Sequence, residues 1–132
     1  MYLLDTNICI YAMKGKYPRI SERLLRIHPD EIKISAVTVM ELEYGAAKSK
    51  WGERSRTALQ MFLASFDVLP FTERDAVLCG LIRAELAAVG SPIGAYDIMI
   101  SSQGISRGLT VVTHNTSEFE RVPGIKLEDW TE

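Results

Sequence analysis

Residues 1–15 read MYLLDTNICIYAMKG, and how this stretch divides decides the fold. Tyr2, Leu3 and Leu4 form a short apolar run suited to a buried strand, and Ile8 to Met13 read as a largely apolar helix. Asp5 stands at the joint, followed at once by Thr6 and Asn7. A carboxylate at the mouth of an apolar strand loses water at a cost unless something positive compensates it.

The same alternation continues outward. Strand-like runs fall at Ile32–Ile34, Val68–Leu69 and Leu109–Thr113, with a short last one near Lys126–Leu127. Helical stretches fall at about Thr6–Lys14, Ile20–His28, Val37–Lys48, Glu53–Ser65, Glu73–Val89 and Tyr96–Arg107. Thr72-Glu73-Arg74-Asp75 has the form of a capping box, and Gly90 and Gly108 suit the left-handed position that ends a helix. In the fifth helix Val77, Leu78, Leu81, Ile82, Leu86 and Val89 are expected to make one apolar stripe. Strands alternating with helices predict an α/β fold, a parallel sheet covered on both faces.

At 132 residues the chain is expected to be one domain spanning 1–132, long enough to bury a core without disulfides. Its composition, 47% hydrophobic and 24% charged, excludes a disordered polymer. No apolar run approaches the roughly 18–20 residues that cross a bilayer, and no basic flank precedes the first apolar run. A cytosolic protein is expected. Cys9 and Cys79 sit in apolar helical patterns, as reduced buried thiols do, and lack zinc-ligand spacing. A net charge of −2 means that any nucleic-acid contact must come from a local patch.

Ligands of open parallel sheets bind beyond the carboxyl ends of the strands, and the acids fall there. Asp5 follows the first strand. Glu41 lies one to two turns into the helix after the second; Val37, Glu41 and Gly45 share a face, so Glu41 is expected to point inward and Gly45 to allow close backbone approach. Asp97 opens the Tyr96–Arg107 helix, and Asn115 and Glu118 follow the fourth strand. Each has an ordinary explanation: a strand-end cap for Asp5, a solvated helix acid for Glu41, and helix-start chemistry for Asp97 and Glu118. Together they would leave several acids on one sheet edge without a counter-charge. Clustered carboxylates repel, and a hard divalent ion, Mg²⁺ or Mn²⁺, relieves that repulsion. The chain lacks a P-loop pattern, so hydrolysis of a phosphodiester is the natural reaction for such an ion.

The stretches LLDTNICIY, ISAVTVMELEYGAAKS, IRAELAAVGSPIGAYDIMI and GLTVVTHNTSEFERVPGIKLEDW, in this order, resemble the PIN-domain ribonucleases, most closely the VapC toxins of bacterial toxin–antitoxin systems. The resemblance implies a three-layer α/β/α sandwich with a mostly parallel central sheet and a Mg²⁺-dependent endoribonuclease that arrests translation. It makes Asp5 and Asp97 the primary metal ligands, with Glu41 completing the cluster. Asn115 stands where the family commonly has Asp, and Glu118 supplies the missing charge. Thr6, Asn7 and Thr113 become organisers of the motif, with Thr6 and Asn7 expected to cap the first helix and steady Asp5. Ala95 replaces a usual proline, which implies a looser approach to Asp97. His114 reads as a loop residue beside the motif, and His28 as a helix-end residue.

For RNA, candidate contacts are Lys14, Lys16, Lys48, Lys50, Arg54, Arg56, Arg83 and Arg107, with Tyr96 or Trp51 able to stack on a base. The resemblance implies a structured RNA target, favouring a tRNA anticodon loop. It also implies a homodimer and a VapB-type antitoxin that fills an apolar groove walled by Ile10, Met13, Ile20 and Leu24. Operator DNA would be met only through that antitoxin. Two other readings stand beside the nuclease: a catalytically weak PIN fold acting as an antitoxin-binding co-regulator, and a phosphotransferase with Asp5 as nucleophile. The latter usually has a second Asp where Asn7 stands.

Overall fold

A computed structural model describes residues 1–132. In chain order the elements are β1 (Tyr2–Leu4), α1 (Thr6–Lys14), α2 (Pro18–Arg26), a 3₁₀ turn (Pro29–Glu31), β2 (Ile32–Ser35), α3 (Ala36–Lys48), α4 (Gly52–Leu63), β3 (Asp67–Leu69), α5 (Glu73–Ala88), α6 (Ala95–Ser106), β4 (Thr110–Val112), α7 (Thr116–Phe119) and β5 (Lys126–Glu128). The five strands form one parallel sheet in the order β3-β2-β1-β4-β5. The chain winds from β1 to one edge and returns to the other side of β1. The reversal lies between β1 and β4, and the crevice beyond their carboxyl ends is the expected ligand site of such a sheet.

Alternation along each short strand builds the two faces. Leu4, Ile32, Ile34 and Val112 pack with Ile8, Cys9, Ile20, Leu42, Leu59 and Trp130, while Leu3 and Val111 turn to the opposite face with Val37, Ile100, Leu109 and Phe119. A third cluster, Ile82, Leu86, Ile98 and Val122, joins α5 to α6. These clusters make the three-layer α/β/α arrangement. At the β2–β3 edge Lys33 and Asp67 are register partners, and their side chains form an ion pair at 2.6 Å.

Local chemistry sets the element ends. Thr72 and Asp75 form the anticipated capping box of α5. Asp75 also receives both terminal nitrogens of Arg107, at 2.7 and 3.0 Å. Burial works to raise the Asp75 carboxyl, but the bonds from Arg107, the Thr72 N–H and Ser106 outweigh it and hold it well below the usual range. Arg107 is thereby a structural clamp between α5 and α6, which removes it from the RNA-contact candidates.

Three expectations are corrected. The second helix starts earlier, with Pro18 at its first turn, and ends at Arg26 because Ile27 is extended. His28 opens the next turn instead, its Nδ1 accepting from the Asp30 N–H at 3.1 Å. On α5 the apolar residues form two rows: Ile82 and Leu86 are buried, whereas Val77 and Leu81 are 62% and 64% exposed. The sequence stripe merged rows about 100° apart.

Helix α6 lies hard against β4. A Cβ added at Gly104 would stand 2.6 Å from Val111 Cγ2, inside a fully buried layer. Gly104→Ala is expected to cost about 1–3 kcal/mol through overpacking, read as a melting temperature lower by at least about 4 °C. An unchanged melting temperature would show that the layer yields freely.

Candidate active site

Asp5 ends β1 and begins α1. Its backbone N–H bonds to Val112 O at 3.0 Å, tying it to β4, and its Oδ1 accepts from the Ile8 N–H at 2.9 Å. Asp5 is therefore itself the N-cap of α1. The capping role expected of Thr6 and Asn7 is corrected on this point. Asn7 is exposed, and Thr6 turns its hydroxyl the other way: Thr6 Oγ1 donates to Glu41 Oε1 at 2.7 Å and lies 3.1 Å from Thr38 Oγ1. Thr6 thus positions Glu41.

Thr113, just past β4, has its hydroxyl near Asp5, where it works to lower the carboxyl, and accepts from the Asn115 N–H at 2.9 Å. Asn115 Nδ2 donates to Glu118 Oε2 at 2.6 Å, and Glu118 Oε1 accepts from the Gly94 N–H at 2.8 Å. Helix α6 has Gly94 at its N-cap position with no side-chain cap, and Ala95 at its first turn. Its start is held from outside by Glu118, the local substitute for a proline. A Cβ at Gly94 would lie 3.6 Å from both Asp97 Oδ2 and Glu118 Oε1, so these two carboxyls flank one backbone.

Electrostatics join the four acids. Burial pushes the Asp5 carboxyl up to about 6, against the Thr113 and Ile8 hydrogen bonds, and the charges of Glu41 and Asp129 add to the rise. Asp97 is likewise pushed up to about 6, by burial first, then by Glu118, Asp5 and Glu41. No ion pair of the chain involves Asp5, Glu41, Asp97 or Glu118. Four oxygen donors of like charge with no basic partner fit a hard divalent cation, not a soft metal. No three His, Cys, Asp or Glu side chains stand together as a finished cage; the donor chemistry carries the fit. Glu41 aligns with this cluster, but the expected close approach at Gly45 is corrected. Nothing lies within 4 Å of a Cβ there, because Gly45 borders an open trough.

That trough is lined by Ile10 and Met13 of α1, Leu42 and Ala46 of α3, and Ala58 and Leu59 of α4, with Lys14 and Glu41 on its border. Ile20 and Leu24 are not in it; Ile20 is core and Leu24 packs against the core. Of the basic candidates, Lys48 lies over Tyr44, while Lys50 and Arg54 flank Trp51. Arg56 pairs with Glu43 at 3.3 Å, and Lys16 lies over Tyr11 and Tyr17. Arg83 is exposed on α5, and Tyr96 is exposed beside Asp97.

Two neighbours of the acids were missed in the sequence. Thr38 braces Thr6, and its signal was a hydroxyl three residues before Glu41, on nearly the same helix face. Asp129 follows β5 as Asp5 follows β1, so the strand-end rule applied there too. Burial works against its charge, yet the Thr131 hydroxyl and N–H and His114 hold its carboxyl below the usual range. His114 is engaged there, its Nδ1 lying 3.0 Å from Asp129 Oδ2, and Cys9 and Cys79 are free thiols. No helix is long and apolar enough to cross a membrane.

Fold and site together define a class: parallel-sheet proteins with acids gathered at the carboxyl edge. The PIN-domain family profile matches residues 2–125. Over 129 residues the chain is 46% identical to the tRNA(fMet)-specific endonuclease VapC of Salmonella typhimurium, covering 98% of this chain and 97% of that one. The crystal structure of DNA-bound VapBC from Salmonella typhimurium superposes with a TM-score of 0.93 at 46% identity, covering 98% and 97% of the two chains. VapBC2 from Rickettsia felis, bound to a promoter DNA fragment, superposes with a TM-score of 0.92 at 35% identity, covering 98% of each chain. The chain belongs to the PIN-domain family, in its VapC ribonuclease branch.

Proposed function

We propose that residues 1–132 form a single PIN domain that acts as a divalent-metal-dependent endoribonuclease, with Mg²⁺ as the working ion and Mn²⁺ able to replace it. The substrate is a structured RNA, foremost the anticodon loop of tRNA(fMet), and its cleavage arrests translation. The observation that carries this reading is the set of four unpaired acids at the β1–β4 crevice, two of them with carboxyls pushed up to about 6. The 46% identity to a tRNA(fMet)-specific endonuclease supports the choice of substrate.

A bound divalent ion in such a site activates water and offsets phosphate charge. Asp5 and Asp97 hold the ion, Asp5 being kept in one rotamer by its bond to the Ile8 N–H. Glu41, fixed by Thr6, orients water from the α3 side. Glu118 adds the charge that Asn115 lacks, and Asn115 holds it through the 2.6 Å amide bond.

The chain acts as a homodimer, and a VapB-type antitoxin restrains it by filling the α1–α3–α4 trough and placing a basic side chain among the acids. Related complexes solved on DNA favour a second duty: contact with operator DNA, made through the antitoxin. The test uses antitoxin-free protein and total tRNA, with Mg²⁺ or with chelator. Discrete fragments with new 5′ ends in one anticodon loop, lost with chelator and in Asp5→Ala, are expected. Cleavage indifferent to chelator and to Asp5→Ala would refute the reading.

A further inference from the structure

The turn between α3 and α4 and the start of α4 form a basic stretch of an acidic chain. Residues 48–56, KSKWGERSR, hold four cations (Lys48, Lys50, Arg54, Arg56) against one acid, Glu53, while the whole chain carries −2. Trp51 stands at its centre, 56% exposed. At this exposure the indole serves no core and offers a flat apolar face with a polar N–H. Its backbone is braced: the Trp51 N–H donates to Ser49 Oγ at 3.1 Å, and Trp51 O accepts from the Ser55 N–H at 2.8 Å. Lys50 Nζ lies 5.2 Å and Arg54 Cζ 5.7 Å from the indole ring. Neither cation, nor Lys48, enters any ion pair of the chain. Both cations lie over the ring and are free of ion pairs, so an unpaired base can take their place against the indole while they meet its phosphates.

The turn is also within reach of the acids. Glu41 and Lys48 lie on one helix, seven residues and so about 10 Å apart. The trough that Glu41 borders ends at Ser49 and Ser55, beside the turn. We propose that this turn anchors the RNA a few nucleotides from the cleaved bond, with one base stacked on Trp51 and flanking phosphates on Lys50 and Arg54. The proposal rests on the reading of the chain as an RNA-cutting enzyme.

Tryptophan fluorescence tests it, because the only other tryptophan, Trp130, is 1% exposed and serves as an internal reference. An Asp5→Asn chain, unable to cut, is titrated with an anticodon stem-loop RNA in the presence of acrylamide. RNA is expected to shield Trp51 saturably from acrylamide. In the same background Trp51→Ala is expected to weaken RNA binding about tenfold or more. Lys50→Ala and Arg54→Ala should each reduce the slope of log K against log salt by nearly one. Thermal melts confirm that the variants fold.

If wild-type protein cuts the RNA while Trp51→Ala binds it as before and Trp51 stays open to acrylamide, the anchor is refuted and the nuclease stands. Shielding only by self-association or by an antitoxin peptide also refutes the anchor. Absence of both RNA binding and cleavage refutes the two readings together.

Discussion

Asp97→Asn is expected to lower the rate of RNA cleavage by about a thousandfold or more, while leaving the ion-free protein as stable as before or more so. The two halves of this result have one cause. Asp97 lies against Glu118, and its carboxyl is pushed up to about 6 by burial and by Glu118, Asp5 and Glu41. Without a cation its charge is a source of repulsion, so a neutral isostere relieves the fold. With a cation that same charge is what binds, and the amide offers one oxygen where the carboxylate offers two, and none of the charge. A group whose removal stabilises the fold and abolishes the reaction is kept for function. Single-turnover cleavage of a defined stem-loop gives the rate, and thermal unfolding in chelator gives the stability. A variant that cut RNA within tenfold of wild type, or that melted far lower in chelator, would contradict the account. The expected loss corresponds to about 4 kcal/mol of barrier, too large for a peripheral contact.

The second large effect is a coupling between pH, ion and stability. Asp5 and Asp97 both have folded-state carboxyls raised from 3.8 to about 6. The folded chain therefore holds protons that the unfolded chain releases. Their contribution is fully present below about 4 and is lost as pH rises through about 6. For Asp5, which is 5% exposed, the span corresponds to about 3 kcal/mol. In chelator the melting temperature should fall between pH 5 and pH 7.5, once other groups are accounted for by an Asp5→Asn/Asp97→Asn control. Millimolar Mg²⁺ should restore it at pH 7.5 and do little at pH 5, where protons already occupy the carboxyls. Binding near pH 6 should release protons, measurable as buffer-dependent heat. Cleavage should rise through the same pH window. Equal stabilisation by Mg²⁺ at both pH values would rule out the raised carboxyls as its site.

The regular elements were legible because their signals are local. Asp5 between an apolar strand and an apolar helix, the Thr72–Asp75 box and the glycines at 90 and 108 are short-range devices, and the structure has Gly90 and Gly108 at φ of 67° and 64°. Asp5 and Glu41 were placed by the strand-end rule and a helix face, whereas Asp97 stands at a helix start and its grouping with them came from the resemblance to the PIN-domain ribonucleases. Other features depend on tertiary partners. That Asp5 rather than Thr6 caps α1 depends on Glu41, thirty-five residues beyond Thr6, claiming the threonine hydroxyl. That Arg107 is a clamp, not an RNA contact, depends on Asp75 lying opposite it. The two rows on α5 were merged because apolar residues one position apart cannot be assigned to core or solvent until the neighbouring helix is known. Asp129 was overlooked because its tie to His114, fifteen residues earlier, exists only once β5 lies beside β4.

The place of β4 has a consequence for biosynthesis. Although it is one of the last segments in the chain, it inserts beside β1, and its Val112 carbonyl receives the Asp5 N–H. Thr113, Asn115 and Glu118 arrive with it. A ribosome that has released only residues up to about 105 has already exported Asp5, Glu41 and Asp97, yet β1 is still an unpaired edge on the side where β4 belongs. The crevice that gathers the acids therefore closes only when β4 takes its place beside β1.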